Sequence, residues 1–407
     1  MATVPDHVPA ELVKDFSYFT GPGMCPMRGG DPQGALAALH DGPPVFYAPN
    51  NTYDGYGTWV FVRAEDQRRV LQDAETFSSH RKIFEKALGY DLPTIPLEVD
   101  PPEHGAYRSL LNPLLSPKRV MAMETANRAR AVELIEAIKA KGNDCEVMNE
   151  FAFPFAVGVF LEFLGLPQSR REEFLGWADK QFHGTPEERG EAIRTVIAFM
   201  QELVELRRRE PAEDFMTFVV QAKVDGREMT DKEAVGMGAL LFVAGLDTVA
   251  AAIGFDFRYL AENPKQQEEL RAEPKGVVLA VEELLRAFPT VIMTRIASRD
   301  TEYDGIKIKK GDRISCPSMV ANRDPEEFPD PNTIDLARPN NRHVAFAYGP
   351  HRCLGSHLAR RELAIAMEEW LKRIPTFRLK DDVAPTTYGG HVFGIEDVRL
   401  AWGAAGQ

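Results

Sequence analysis

Cysteine is scarce: four residues in 407, at Cys25, Cys145, Cys316 and Cys353. They form no C-x-x-C pair and no disulfide framework, which fits a reducing cytoplasm. Cys25-Pro26 and Cys316-Pro317 are dipeptides too short to signify more than a free thiol beside a turn. The first ten residues lack the apolar core of a signal peptide, so secretion is not expected. No linker, low-complexity tract or repeat interrupts the chain. One large domain over 1–407 is therefore expected, although a rule of about 150 residues per domain would give two or three. Positive charge is also short. A net charge of −13 argues against bulk nucleic-acid binding.

One weakly charged run stands out. Between Met237 and Phe255 the sole charge is Asp247. The length would span a membrane. A central carboxylate there costs about 2.5–3.5 kcal/mol, and no basic cluster flanks the run. A helix buried in a large core is the expectation, starting at a capping box of Thr230 and Glu233. Inside it, Gly245 costs about 1 kcal/mol relative to alanine. Thr248 can bond the carbonyl of Ala244 and bend the helix. Gly245 leaves room on the same side. The result is either a simple kink or a groove with a proton source, Asp247.

The stretch Phe346-Ala-Tyr-Gly-Pro-His-Arg-Cys-Leu-Gly355 places Cys353 in a glycine-rich loop before a helical pattern. Gly349 and Gly355 allow close backbone approaches. A helix N-terminus lowers the pKa of a nearby thiol. Phe346 supplies a flat apolar surface. Such a thiolate can be a nucleophile, a structural cysteine or the ligand of a large flat iron cofactor.

Phe-x-x-Gly-x-His-x-Cys-x-Gly resembles the haem-binding loop of the cytochrome P450 monooxygenases. Glu283-Leu-Leu-Arg286, on its own an ordinary ion pair, is similar to that family's Glu-x-x-Arg. Arg338 matches the third polar partner that holds the fold around the loop. Asp247 and Thr248 match the acid–alcohol pair that delivers protons for cleavage of the O–O bond, with Ala244 and Gly245 forming the groove. The resemblance implies a mainly helical, single-domain fold with small peripheral sheets, and haem b (iron protoporphyrin IX) bound by Cys353. His104, Arg108, Arg295 and His343 match bases that meet the haem propionates. Met293 stands where some relatives carry an acid.

The camphor-hydroxylating branch is the most similar, through segments at both ends and in the middle of the chain. Leu240, Val243, Ala244, Val291, Ile292, Met293 and Val392 occupy pocket positions, and all are small or apolar. Leu92 falls where that branch has a ketone-binding tyrosine, with Tyr90 and Thr94 nearby. The segments around 80–98 and 182–185 would form a lid. A compact terpenoid is expected as substrate, either a cineole-like ether, an ionone-like ketone or camphor. Arg68, Arg69, Arg108, Lys118, Arg119, Arg342, Arg352, Arg360 and Arg361 would ring the thiolate face. They would steer a [2Fe–2S] ferredoxin served by a flavoprotein reductase. Neither nucleic acid nor membrane is expected as a partner. Two alternatives use the same cysteine: a peroxide-driven enzyme, which would not need Asp247 and Thr248, and a haem sensor, for which no output domain is visible.

Overall fold

The computed structural model describes residues 3–18, 27–51, 57–80, 92–390 and 392–403. Helices dominate, with small sheets at the periphery. Near the start of the chain lie strands β1 (Val45–Ala48) and β2 (Thr58–Phe61). They pair antiparallel, with Val45 opposite Phe61. A five-stranded sheet forms when β3 (Phe77–Ser78), β4 (Ile292–Ala297) and β5 (Arg313–Pro317) join them in the order β1-β2-β5-β4-β3. Sequence-distant segments thus meet early and late in the chain, which delivers Arg295 on β4 to a site built mostly from helices.

The apolar run becomes two helices, with no membrane needed to account for its burial. Helix α6 runs Asp231–Gly245, and α7 runs Asp247–Glu262. Its start is the expected capping box. Thr230 Oγ1 accepts from the Glu233 N–H, and the Glu233 carboxylate accepts from the Thr230 N–H. Across the whole span the helix is long and apolar enough to cross a membrane, yet two thirds of its most apolar window is packed inside the protein. Leu246 interrupts the ladder between the two halves.

Other helices frame this pair. They are α1 (Ala64–Gln72), α2 (Glu103–Leu111), α3 (Pro117–Lys141), α4 (Phe153–Phe163), α5 (Pro186–Arg209), α8 (Val277–Ala287) and α9 (Ser356–Arg373). Two apolar clusters share the interior. One gathers α3, α4, α7, α8 and α9 around Phe151, Phe257 and Trp370. The other gathers α4, α5 and α6 around Phe160, Phe174 and Phe242. Leu354, the residue after Cys353, packs against the second cluster, which also contains Leu246. The cysteine loop and the helix break therefore adjoin the same body of side chains.

Candidate active site

The loop carrying Cys353 is fixed from several directions. The Cys353 N–H donates to the Phe346 carbonyl at 2.9 Å, and the Arg352 N–H to Gly349 at 3.0 Å. Gly349 has φ +71°, and a Cβ there would lie 2.4 Å from the Leu71 carbonyl at the end of α1. Both the backbone angle and the contact require glycine. Gly355 is placed differently. A Cβ on it would stand 4.0 Å from the Cys353 sulfur, so the residue keeps that approach open. Arg360 lies over the Phe346 ring at 4.4 Å.

Cys353 is solvent-accessible yet ringed by protein. Its thiol therefore faces an internal slot rather than the outer surface. Burial pushes the thiol pKa up, opposed by the Gly355 N–H and by the charges of Arg108, Arg352 and Arg360. Cys145 and Cys316 differ: they are buried without such donors, and burial pushes both thiols well up. Cys25 lies outside the described residues.

The helix break adjoins the same apolar cluster as the loop. Thr248 Oγ1 donates to the Ala244 carbonyl at 3.0 Å, as the spacing predicts. Asp247 is buried. Ala244 and Gly245 are exposed, and Leu240, Val243 and Thr248 are half-exposed. These positions fall three and four apart, so they form a single accessible stripe on a helix otherwise packed in the interior. The nearest atom to a Cβ built on Gly245 is Phe160 Cδ2 at 3.9 Å. Packing does not demand glycine there, and space on that face is what it preserves.

Four bases meet at one edge of the site. His104 on α2 is buried, and its Nε2 has no hydrogen-bond partner. Burial lowers its pKa to about 4, helped by Arg108 and Arg295 against the pull of Asp100. Arg295 is buried on β4, and Arg108 donates to the Arg352 carbonyl at 2.7 Å. The fourth base is His351, whose ring lies 4.2 Å from that of His104. Sequence reading assigned it no role, although it sits two residues before Cys353 in the same loop. His343 does not join them. Its Nε2 is 3.1 Å from Glu282 and its Nδ1 accepts from the Ala345 N–H. Both nitrogens are engaged beside Arg360, which grips the same carboxylate.

Glu283 and Arg286 form no surface pair. Both are fully buried, 2.7 Å apart. Arg338 meets both Glu283 oxygens at 3.1 Å, Asn341 adds 2.8 Å, and the Asp335 N–H adds 2.9 Å. Arg286 also donates to the carbonyls of Asn322, Pro331 and Thr333. Burial would raise the Glu283 pKa, but these donors hold it below the ordinary value.

The expected pocket residues divide. Val291 and Val392 pair across an isolated bridge and stay half-exposed. Ile292 turns the other way, into a cluster with Tyr18, Phe46 and Phe393. Strand alternation gives neighbours opposite faces, so Ile292 is core. Met293 is buried in the sheet cluster with Trp59 and Cys316. Thr94 is also buried, with its hydroxyl on Glu98. Leu92 is half-buried in a segment lying on α6, where a Cβ on Gly236 would come 2.0 Å from the Pro93 carbonyl. Tyr90 and 81–91 generally lie outside the described residues, as do the side chains of Phe182 and His183.

The ring of basic residues is largely neutralised. Arg68 and Arg342 meet Glu327, Arg69 meets Asp304, Arg360 meets Glu282 and Arg361 meets Glu124. Lys118, Arg119 and Arg352 are exposed and have no carboxylate partner among the described residues. A surface groove between α3 and α9, lined by Glu124, Arg128, Glu369 and Arg373, lies apart from the cysteine slot. Arg128 and Arg373 there are met by glutamates.

Comparison with known proteins agrees with this geometry. The family model described as Cytochrome P450 matches residues 166–280 and 277–392. The chain is 59% identical over 400 residues to a protein described as probable cytochrome P450 127A1 from Sinorhizobium fredii, covering 98% of this chain and 97% of that one. It is 32% identical to the mycinamicin IV hydroxylase/epoxidase of Micromonospora griseorubida, covering 86% of each. Among solved structures, CYP101C1 aligns with a TM-score of 0.88 at 32% identity, covering 99% of this chain and all of that one. CYP101J2 gives 0.87 at the same identity and coverage.

The chain belongs to the cytochrome P450 family of haem monooxygenases. Its cofactor is protoporphyrin IX haem. The residues present suit that group. A solvent-accessible sulfur lies inside the protein, the broken helix keeps an accessible face, and the unpartnered His104 Nε2 sits beside Arg108 and Arg295.

Proposed function

We propose that the chain inserts one atom of dioxygen into a C–H bond of a small apolar terpenoid. The electrons would come from a [2Fe–2S] ferredoxin and its flavoprotein reductase in the cytoplasm. The camphor-hydroxylating branch is the model for this reading. The observation that carries it is the Cys353 sulfur, accessible inside the protein and facing donors and cations.

In this reading the Cys353 sulfur would bind the haem iron. His104, Arg108 and Arg295, with His351 beside them, would hold the propionates. Haem bound by a thiolate supplies the electron push that favours O–O cleavage. The chain supplies position and protons. Thr248 keeps its hydroxyl at the groove by donating to Ala244. Buried Asp247 is the next proton carrier along the helix. Leu240, Val243, Val291 and Val392 offer an apolar wall that orients substrate by shape. The Glu283, Arg286 and Arg338 cluster anchors the segment around the cysteine loop and does no chemistry. The helix break at Asp247 and Thr248 favours dioxygen over peroxide as the oxidant, because a peroxide-driven enzyme would not need that pair.

The ferrous carbon monoxide spectrum tests the ligand. The red-shifted Soret band of thiolate ligation is expected, and its lack in fresh protein would overturn the reading. A terpenoid panel then tests the substrate. Cineole, ionone and camphor are expected to displace the iron-bound water and shift the spin state. A response to bulky ligands alone would reject a terpenoid.

A further inference from the structure

We propose a further activity for the five-stranded sheet: Trp59 and Tyr47 form a relay that returns an electron to the haem when no substrate C–H bond takes up its oxidising equivalent. This rests on reading Arg295 as a propionate partner and goes beyond it, because no member of the relay touches substrate.

Strand register places the relay. Tyr47 on β1 lies opposite Trp59 on β2, Trp59 opposite Ile314 on β5, and Ile314 opposite Arg295 on β4. Directly paired residues share a face of a sheet, so the four form one row across the strands. Neighbouring strands are about 4.8 Å apart, which puts the Trp59 backbone about 10 Å from that of Arg295. The rings of Tyr47 and Trp59 meet edge to face, with centroids 5.2 Å apart. Both side chains are buried in the same apolar cluster. At the outer end of the row, a Cβ on Gly57 would collide with the Tyr47 hydroxyl, so glycine is what seats that hydroxyl at the entry to β2.

Proton chemistry distinguishes this pair from its neighbours. The Trp59 indole N–H donates to the Asp312 carboxylate at 3.0 Å. The same carboxylate oxygen meets His7 Nε2 at 2.7 Å and accepts from the Lys309 N–H at 2.9 Å. Both His7 and Asp312 are partly exposed, so a base in touch with water stands on a buried indole. Cys316 lies on the same sheet face, opposite Met293. Burial pushes its thiol up to about 12, and the thiolate is the form that oxidises readily. Burial and the Asp312 charge also push the Tyr47 phenol up, so Tyr47 keeps its proton until it is oxidised.

The electrons and protons balance. Trp59 gives one electron to the haem edge while its indole proton moves to Asp312. Tyr47 then gives one electron to the Trp59 radical, the proton on Asp312 returns to the indole, and the phenolic proton leaves to water. A soluble thiol restores Tyr47 with one electron and one proton, and two oxidised thiols close a disulfide.

The test uses substrate-free holoenzyme, m-chloroperbenzoic acid as oxidant, and rapid freezing for electron paramagnetic resonance. The parent is expected to show a tyrosine radical. Tyr47→Phe should lose that signal and show an indole radical in its place. Asp312→Asn keeps an acceptor for the indole N–H but removes the base, and should lose both signals. Each variant is expected to bleach the Soret band faster than the parent under peracid. An unchanged Tm and carbon monoxide spectrum guard against a folding effect. A merely structural Trp59 would leave the radical and the bleaching rate unmoved.

A tyrosine radical that survives Tyr47→Phe would overturn the proposal. So would bleaching at the parent rate in both variants. A parent that shows the thiolate carbon monoxide band but no protein radical overturns the relay and leaves the haem reading standing. Lack of that band overturns both.

Discussion

The Glu283 cluster and the cysteine loop are held by several contacts each. Glu283 meets Arg286, Arg338, Asn341 and a backbone N–H, and Gly349 is pressed against Leu71. At the helix break Thr248 bonds to the Ala244 carbonyl, and Leu240, Val243, Ala244 and Gly245 leave an accessible stripe. The cysteine side is specified by many mutually dependent polar contacts. The opposite side is specified by what is left out. A ligand loop has to be rigid, whereas a groove for dioxygen and substrate has to stay open.

Arg286→Ala should break the contrast most severely. It strips a buried carboxylate of its closest partner, and uncompensated buried charges cost roughly 3–5 kcal/mol. The urea midpoint should fall accordingly and haem uptake should drop. A variant as stable as the parent would mean that the cluster is not the anchor.

Glu362→Gln probes the same side through pH. Burial raises the Glu362 carboxyl from 4.5 to about 8, outweighing the pull of Arg130. The folded protein thus holds a proton that the unfolded chain releases above its ordinary pKa. The stability this contributes is full below about 4.5 and is lost as pH rises through about 8. The glutamine variant should lose that slope and gain on the order of a few kcal/mol at pH 8 relative to the parent. Parallel denaturation curves for the two proteins across that window would refute the assignment.

Thr248→Ala tests the open side. Product per electron should fall about tenfold, or roughly 1.4 kcal/mol of partitioning, with hydrogen peroxide rising in step. Coupling equal to the parent would reduce the helix break to a kink.

The smallest effect compares Val291, just before β4, with Ile292, the first residue of β4. Val291→Ala should weaken terpenoid binding by about 1 kcal/mol. Ile292→Val should leave affinity alone and cost about 1 kcal/mol of stability. Equal effects on affinity would mean that both face the pocket.

Much of this was legible in the chain. Motif residues with fixed spacing located the cysteine loop, the Glu283 and Arg286 pair, the capping box at Thr230 and the bond from Thr248 to Ala244. Each is a local device, or a local device repeated, so a short stretch of sequence contains its geometry. His343 was misplaced because a histidine near a cysteine in sequence says nothing of direction. Glu282, far upstream, captured it. His351 was overlooked because its neighbour His104 comes from another helix. The steering ring was overestimated because positive residues are countable in a sequence and their carboxylate partners are not.

Sequence alone placed Cys353 in a glycine-rich loop, a bend at Thr248 in an apolar helix and Glu283 three residues from Arg286, because glycine, capping and hydrogen-bond rules act over a few residues; the family resemblance joined them into one site. Which bases gather near Cys353, that Ile292 and Met293 are core, and which cations stay unpaired were decided by tertiary structure. Those properties depend on strand alternation and on partners hundreds of residues apart, and they exist only after the chain has packed.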